Sequence, residues 1–170
     1  MISIVCFGNE LHADDGIGLA VHDVLMKLEM PRGVSLFYAG NAALDSVRYF
    51  EKGDSIVIVD AMQPQGKPGL IHRSDAKSLL KNVRIPNHLS LHSLSIPELL
   101  RMVEHLSGGL PEVELFAIEA DSVKPFQPGL SCTVQKSIKP LARQVQRFVT
   151  QLACASSQSA LTQPGLMSCA

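Results

Sequence analysis

Apolar positions change their period repeatedly along this chain. Ser3–Phe7 is a short β-rich run. It is followed by Ile17, Val21, Val24, Leu25 and Leu28, spaced as one face of a helix that opens at Asp14-Asp15 and runs to about Glu29, before Pro31 stops it. Val34–Tyr38 reads as a second strand, residues 42–50 as a second helix ending before the Gly53-Asp54 turn, and Ser55–Asp60 as a third strand. The β-branched, nearly continuous apolar character of that third run predicts a central strand buried on both faces.

A short edge strand is expected over Gly69–Arg73, a helix over Pro97–Leu106 with Leu99, Leu100, Val103 and Leu106 on one stripe, and a further strand over Glu112–Glu119. From Cys132 to Leu152, Val134, Ile138, Leu141, Val145, Phe148 and Leu152 predict a long closing helix in which Pro140 implies a kink or a late start. Strands alternating with helices predict an α/β domain: three layers, α/β/α, with a central twisted, mostly parallel sheet. That domain covers residues 1–152, and 153–170, rich in Ser, Ala and Gln and without a period, reads as a flexible tail.

The 170 residues suit one domain with a sizeable core. Fifteen Lys and Arg against sixteen Asp and Glu, for a formal charge of -1, disfavour a phosphate-driven nucleic-acid role. No apolar run approaches the ~20 residues of a membrane span, and the N-terminal apolar stretch is too short for a signal peptide, so a cytoplasmic protein is expected. Cys6, Cys132, Cys154 and Cys169 have neither CxxC spacing nor a disulfide pattern and read as free thiols, with Cys6 a small core residue.

In doubly wound sheets, ligands collect at the carboxyl ends of strands. The polar residues there are those of Gly8–Gly18, Asp60 at the end of strand three, and His88 and His92 in the loop before the next helix. Asp14 is expected to cap the first helix, which leaves Asp15 free to face a cleft. Asp60 ends an apolar strand, where a carboxylate is expensive unless it is paired, hydrogen-bonded or metal-bound. Two carboxylates and one imidazole would make a mixed oxygen and nitrogen site suited to zinc, nickel, iron or manganese. His12 is the remaining histidine expected to border the cleft, with His22, His72 and His105 on the surface. Dinucleotide and P-loop glycine patterns, HExxH and G-x-S-x-G are all missing from the sequence.

The run Gly8-Asn9-x-Leu11-x-x-Asp14-Asp15-Gly16-x-Gly18 resembles the opening motif of the hydrogenase maturation endopeptidases. Ile58-Val59-Asp60-Ala61, Ser90-Leu91-His92 before Glu98-Leu99-Leu100, and Gly129-Leu130-Ser131 keep that family's order, so the resemblance spans roughly residues 1–150. It implies a metal-responsive site of Asp15, Asp60 and His92, with His88 a neighbour, and no separately assigned nucleophile. The implied reaction removes a C-terminal peptide from the precursor of a nickel-iron hydrogenase large subunit once nickel is seated. Nickel is then recognised in the substrate, and no cofactor is permanently bound. Where the family often has Asp-Gly-Gly-Thr after strand two, this chain has Tyr38-Ala39-Gly40-Asn41, making Gly40 and Asn41 the implied substrate contacts.

Two alternatives stand beside this reading. Response-regulator receivers also carry an acidic pair, a strand-end Asp and a Lys-Pro-Phe, here Asp14, Asp15, Asp60 and Lys124-Pro125-Phe126, with Mg²⁺ on the carboxylates. A receiver's pair, however, sits directly at the strand end, and it needs none of Gly8, Gly16 and Gly18. The other alternative is a chaperone that binds the metal-loaded subunit without cutting it.

Overall fold

The computed structural model describes residues 1–41, 43–51, 53–82 and 94–161. His88, His92 and the Ser90-Leu91 pair lie outside the described residues, as do Ala42 at the expected start of the second helix and 162–170 at the end of the expected tail.

Five strands form one sheet: β1 (Ile2–Phe7), β2 (Val34–Gly40), β3 (Ser55–Met62), β4 (Ile71–Asp75) and β5 (Glu112–Glu119). They lie in the order β2-β1-β3-β5-β4, all parallel except β4, which runs antiparallel to β5 at the edge. The helices are α1 (Ile17–Leu25), α2 (Ala43–Ser46), α3 (Ala76–Asn82), α4 (Ile96–Ser107) and α5 (Cys132–Leu161). Side chains of the two central strands alternate between two cores, which is why neither strand shows polar alternation. Ile4, Cys6, Val57 and Val59 pack with Ile17, Val21 and Leu25 of α1 and with Val134, Leu141 and Val145 of α5. On the opposite face, Val5, Phe7, Ile56 and Ile58 pack with Ala76 and Leu80 of α3 and with Leu99, Leu100 and Val103 of α4. The expected three-layer α/β architecture is therefore the observed one.

Several boundaries differ for local reasons. α1 stops at Leu25, short of Glu29, because the chain loosens into turns in which Lys27 and Leu28 donate to Val24 and Leu25. α3 was not expected; Asp75 starts it by accepting the Ser78 N–H at 2.9 Å and the Ser78 hydroxyl at 2.7 Å. Leu106, expected on the apolar stripe of α4, is 65% exposed in the last turn before the left-handed Gly108. α5 begins at Cys132, so Pro140 brings no late start, and the helix extends to Leu161 rather than stopping at Leu152. Pro140 is exposed, so water can serve the carbonyl left without its N–H partner. Cys6, Cys132 and Cys154 are free thiols, and Cys169 lies outside the described residues. No helix among the described residues is long and apolar enough to cross a membrane.

Candidate functional site

The loop after β1 is shaped by glycines. A Cβ at Gly18 would lie 1.7 Å from the Phe7 carbonyl oxygen, and one at Gly8, whose φ is +137°, would lie 2.0 Å from the Asp15 carbonyl oxygen. Only glycine lets α1 start against the end of β1 and lets the loop fold back on itself. The Gly8 N–H donates to the Gly40 carbonyl at 3.1 Å, and the Tyr38 hydroxyl donates to the Gly8 carbonyl at 2.9 Å, which fastens the loop to the end of β2. Gly40, at φ +55°, is thus a backbone anchor of the loop, with Asn41 exposed beside it.

The adjacent acids face different ways. Asp14 is fully buried but does not cap α1 as expected. Its Oδ2 accepts the N–H groups of Asp121 at 2.9 Å and Ser122 at 3.2 Å, and its Oδ1 accepts that of Ser131 at 2.6 Å. It is a latch between the β1 loop and the segment joining β5 to α5. Asp15 accepts the Asn9 N–H at 2.9 Å through Oδ2 alone. Ala13–Gly16 is a 3-10 turn, and its tight winding sends neighbouring side chains in different directions.

Asp60 lies near the carboxyl end of β3, its Oδ1 accepting the Ala61 N–H at 2.8 Å. Desolvation pushes its pKa up to about 7, opposed by that N–H and reinforced by the charge of Asp15. Asp15 is raised too, chiefly by desolvation, with the Asn9 N–H and His12 pulling the other way. Tyr38 is raised by burial and by Glu10, Asp15 and Cys6, while Cys6 is raised by burial and by Asp60. Asp60 thus feels the charge of Asp15, Cys6 feels that of Asp60, and Tyr38 feels those of Glu10 and Asp15, so these groups gather at the carboxyl ends of β1, β2 and β3. Among the described residues, Asp15 Oδ1 and Asp60 Oδ2 accept no hydrogen bond. No cluster of three metal-ligating side chains occurs among the described residues, the third implied ligand, His92, lying outside them.

Two polar residues near the site were not read from the sequence. Tyr38 sat in an apolar run, and Glu119 looked like the polar end of a strand. Glu119 is buried, its Oε1 accepting the N–H groups of Gln65 at 2.7 Å and Lys67 at 2.5 Å, so it holds the loop that follows β3. Those N–H bonds, led by that of Lys67, lower its pKa, as does His72. His72, expected on the surface, is partly buried with its Nε2 3.6 Å from Glu119 Oε2.

The receiver alternative fails on topology. Its 2-1-3-4-5 sheet is parallel throughout, whereas here the edge strand β4 is antiparallel and lies outside β5. Lys124 lies in an exposed loop. What the structure defines instead is a doubly wound α/β domain with a pair of acids, Asp15 and Asp60, near the carboxyl ends of β1 and β3.

The chain belongs to the HycI hydrogenase maturation protease family, whose model matches residues 20–147, a span that includes Asp60 and begins just after Gly18. It is accordingly a peptidase. The hydrogenase expression/formation protein HupD of Bradyrhizobium diazoefficiens is 23% identical over 145 residues, covering 82% of this chain and 72% of HupD. The structure is similar to that of the hydrogenase maturating endopeptidase HybD from E. coli, with TM-score 0.73 and 24% identity over 88% of this chain and 92% of HybD. It is also similar to an endopeptidase from Escherichia coli solved in solution, with TM-score 0.69 and 25% identity over 85% of this chain and 88% of the other.

Proposed function

We propose that this peptidase removes a C-terminal peptide from the nickel-loaded precursor of a nickel-iron hydrogenase large subunit, in the cytoplasm. Asp15, Asp60 and His92 would touch the metal already seated in that substrate. The observation that carries the reading is the acid pair: Asp15 and Asp60 come from different strand ends, each is desolvated, and the charge of Asp15 makes Asp60 harder to ionise.

Such a pair is poised for a cation. Before the cation arrives, the carboxyl group of Asp60 titrates near neutrality, so much of it carries a proton. A divalent ion carried in by the substrate favours the ionised form of both acids. Nickel would polarise the scissile carbonyl or acidify an attacking water, and a carboxylate such as Asp15 or Asp60 would take the proton. A nickel-free precursor brings no charge to open the pair, which accounts for selectivity toward the loaded form. Gly40 and Asn41, at the edge of the same cleft, would contact the substrate chain.

The test is mass spectrometry of a large-subunit precursor, nickel-loaded and nickel-free, after incubation with the protein. Loss of a C-terminal peptide only from the loaded form is expected, and Asp60→Ala should abolish it while the circular dichroism spectrum stays native. Processing retained in that variant would refute the site assignment. A loaded precursor that is bound but keeps its full mass would favour the non-cleaving chaperone.

A further inference from the structure

The Lys124-Pro125-Phe126 run is not used by the acid pair, yet it is held against the β1 loop that carries Asp15. Phe126 is 86% exposed, and its backbone adopts φ +57°, in the left-handed region that a bulky side chain seldom occupies. This strained conformation is imposed by the surrounding structure. Gln127 donates its N–H to the Leu11 carbonyl at 3.0 Å, and its own carbonyl accepts the Ala13 N–H at 2.8 Å. Asp14 latches both ends of the same segment through Asp121, Ser122 and Ser131. The fold therefore spends strain and a buried carboxylate to keep an apolar ring in water, an arrangement that hydrophobic burial within the monomer would not select.

What the ring stands next to identifies its use. A depression of about 330 Å³ lies between the β1 loop and the segment joining β5 to α5, lined by Glu10, Leu11, Ala13 and Gly16 on one side and by residues 128–130 on the other. Leu11 is itself 51% exposed. The Phe126 ring meets the imidazole of His12 edge-on at 6.3 Å, and the Asp15 N–H donates to the His12 carbonyl at 3.0 Å. Leu11, on the wall of the depression, accepts the N–H of Gln127 beside Phe126, and His12 links the Phe126 ring to the backbone of Asp15, so ring, groove and Asp15 lie along one loop.

We infer that Phe126 and the adjoining groove are an anchor for the substrate polypeptide, taking an apolar side chain of the precursor that flanks the scissile bond. The occupant follows from continuity, because a chain that reaches Asp15 runs along the loop that walls the groove. This anchor rests on the peptidase reading given above. Held rigid, the ring and groove bind without ordering a loop, so they lower KM and leave the chemical step to the acids.

The experiment compares Phe126→Gly and Phe126→Leu with the wild type in cleavage of the nickel-loaded precursor, with precursor affinity measured alongside. Phe126→Gly relieves the left-handed strain, so it should melt at or above the wild-type temperature. It is expected to raise KM and weaken precursor binding by roughly 10-fold or more, as a buried aromatic anchor does, while kcat stays within about twofold. Phe126→Leu should recover most of the affinity. A wild type that cuts the precursor and a Phe126→Gly variant with the same KM would overturn the anchor while leaving the peptidase reading intact. A wild type that cuts no loaded precursor would overturn both. Sedimentation showing a wild-type dimer that Phe126→Gly converts to monomer would overturn the inference in favour of a second copy of this chain on that surface.

Discussion

Replacing Asp60 with Asn should make the protein more stable while removing its activity. In the fold the Asp60 carboxyl titrates at about 7 rather than 3.8, because it is desolvated and faces Asp15. An acid whose folded pKa is raised is neutral and harmless below its unfolded value, and it destabilises the fold increasingly as pH climbs toward the folded value. At about 1.4 kcal/mol per pH unit, the ionised group works against folding by roughly 4 kcal/mol above pH 7 and by only about 1 kcal/mol at pH 4.5. Asn has nearly the same shape, and its carbonyl oxygen can keep the Ala61 N–H bond that Asp60 Oδ1 makes at 2.8 Å. Urea unfolding followed by circular dichroism at pH 4.5, 6 and 8 should therefore show Asp60→Asn gaining several kcal/mol at pH 8 and little at pH 4.5, with m unchanged. A gain of the same size at both pH values, or none at pH 8, would refute the claim that the site stores unfavourable charge. The expected pairing of higher stability with lost cleavage is what a binding site held in a strained electrostatic state should show.

Two further substitutions test the framework that holds the acids. Asp14→Ala strands the N–H groups of Ser122 and Ser131, both partly buried, while that of Asp121 can turn to water; at about 1–3 kcal/mol for each stranded group, the melting temperature should fall by roughly 5–15 °C, and a fall under about 2 °C would contradict the latch. Gly18→Ala puts a methyl group 1.7 Å from the Phe7 carbonyl oxygen, so α1 must back away from β1, and differential scanning calorimetry should show a drop of roughly 3–10 °C.

The parts of this molecule that could be read in advance are those fixed by local pattern. The unbroken apolar run of β3 required cover on both faces, and Ile17, Val21 and Leu25 marked the inner stripe of α1. Asp60 stood out because a carboxylate closing such a run is costly, and its raised pKa is that cost expressed as chemistry. What escaped depends on partners far along the chain. The Asp14 carboxylate meets Ser131, 117 residues away, and nothing near Asp14 distinguishes that role from a helix cap. Glu119 reaches back 54 residues to Gln65. The short helix α3 was missed because it spans only seven residues and its signal is confined to the Asp75 and Ser78 start.

These long-range acids explain how the site is held. Loops at the carboxyl ends of strands lie beyond the two cores and have little apolar surface to fix them. Here the fixing is done by carboxylates that accept backbone N–H groups: Asp14 ties the β1 loop to the segment before α5, and Glu119 ties down the loop after β3. Charged acceptors in such places form stronger hydrogen bonds than neutral ones and pre-organise the groups beside them. Both oxygens of Asp14 are engaged in this way, whereas among the described residues Asp15 and Asp60 each have only one oxygen engaged. The chain thus uses one kind of side chain for two tasks, and the number of N–H donors around each carboxylate decides which. Where two or more N–H groups converge on the carboxylate, as at Asp14 and Glu119, the acid holds a loop. Where the described residues supply a single N–H, as at Asp15 and Asp60, the carboxylate keeps an oxygen that the proposed contact with the substrate's metal would use.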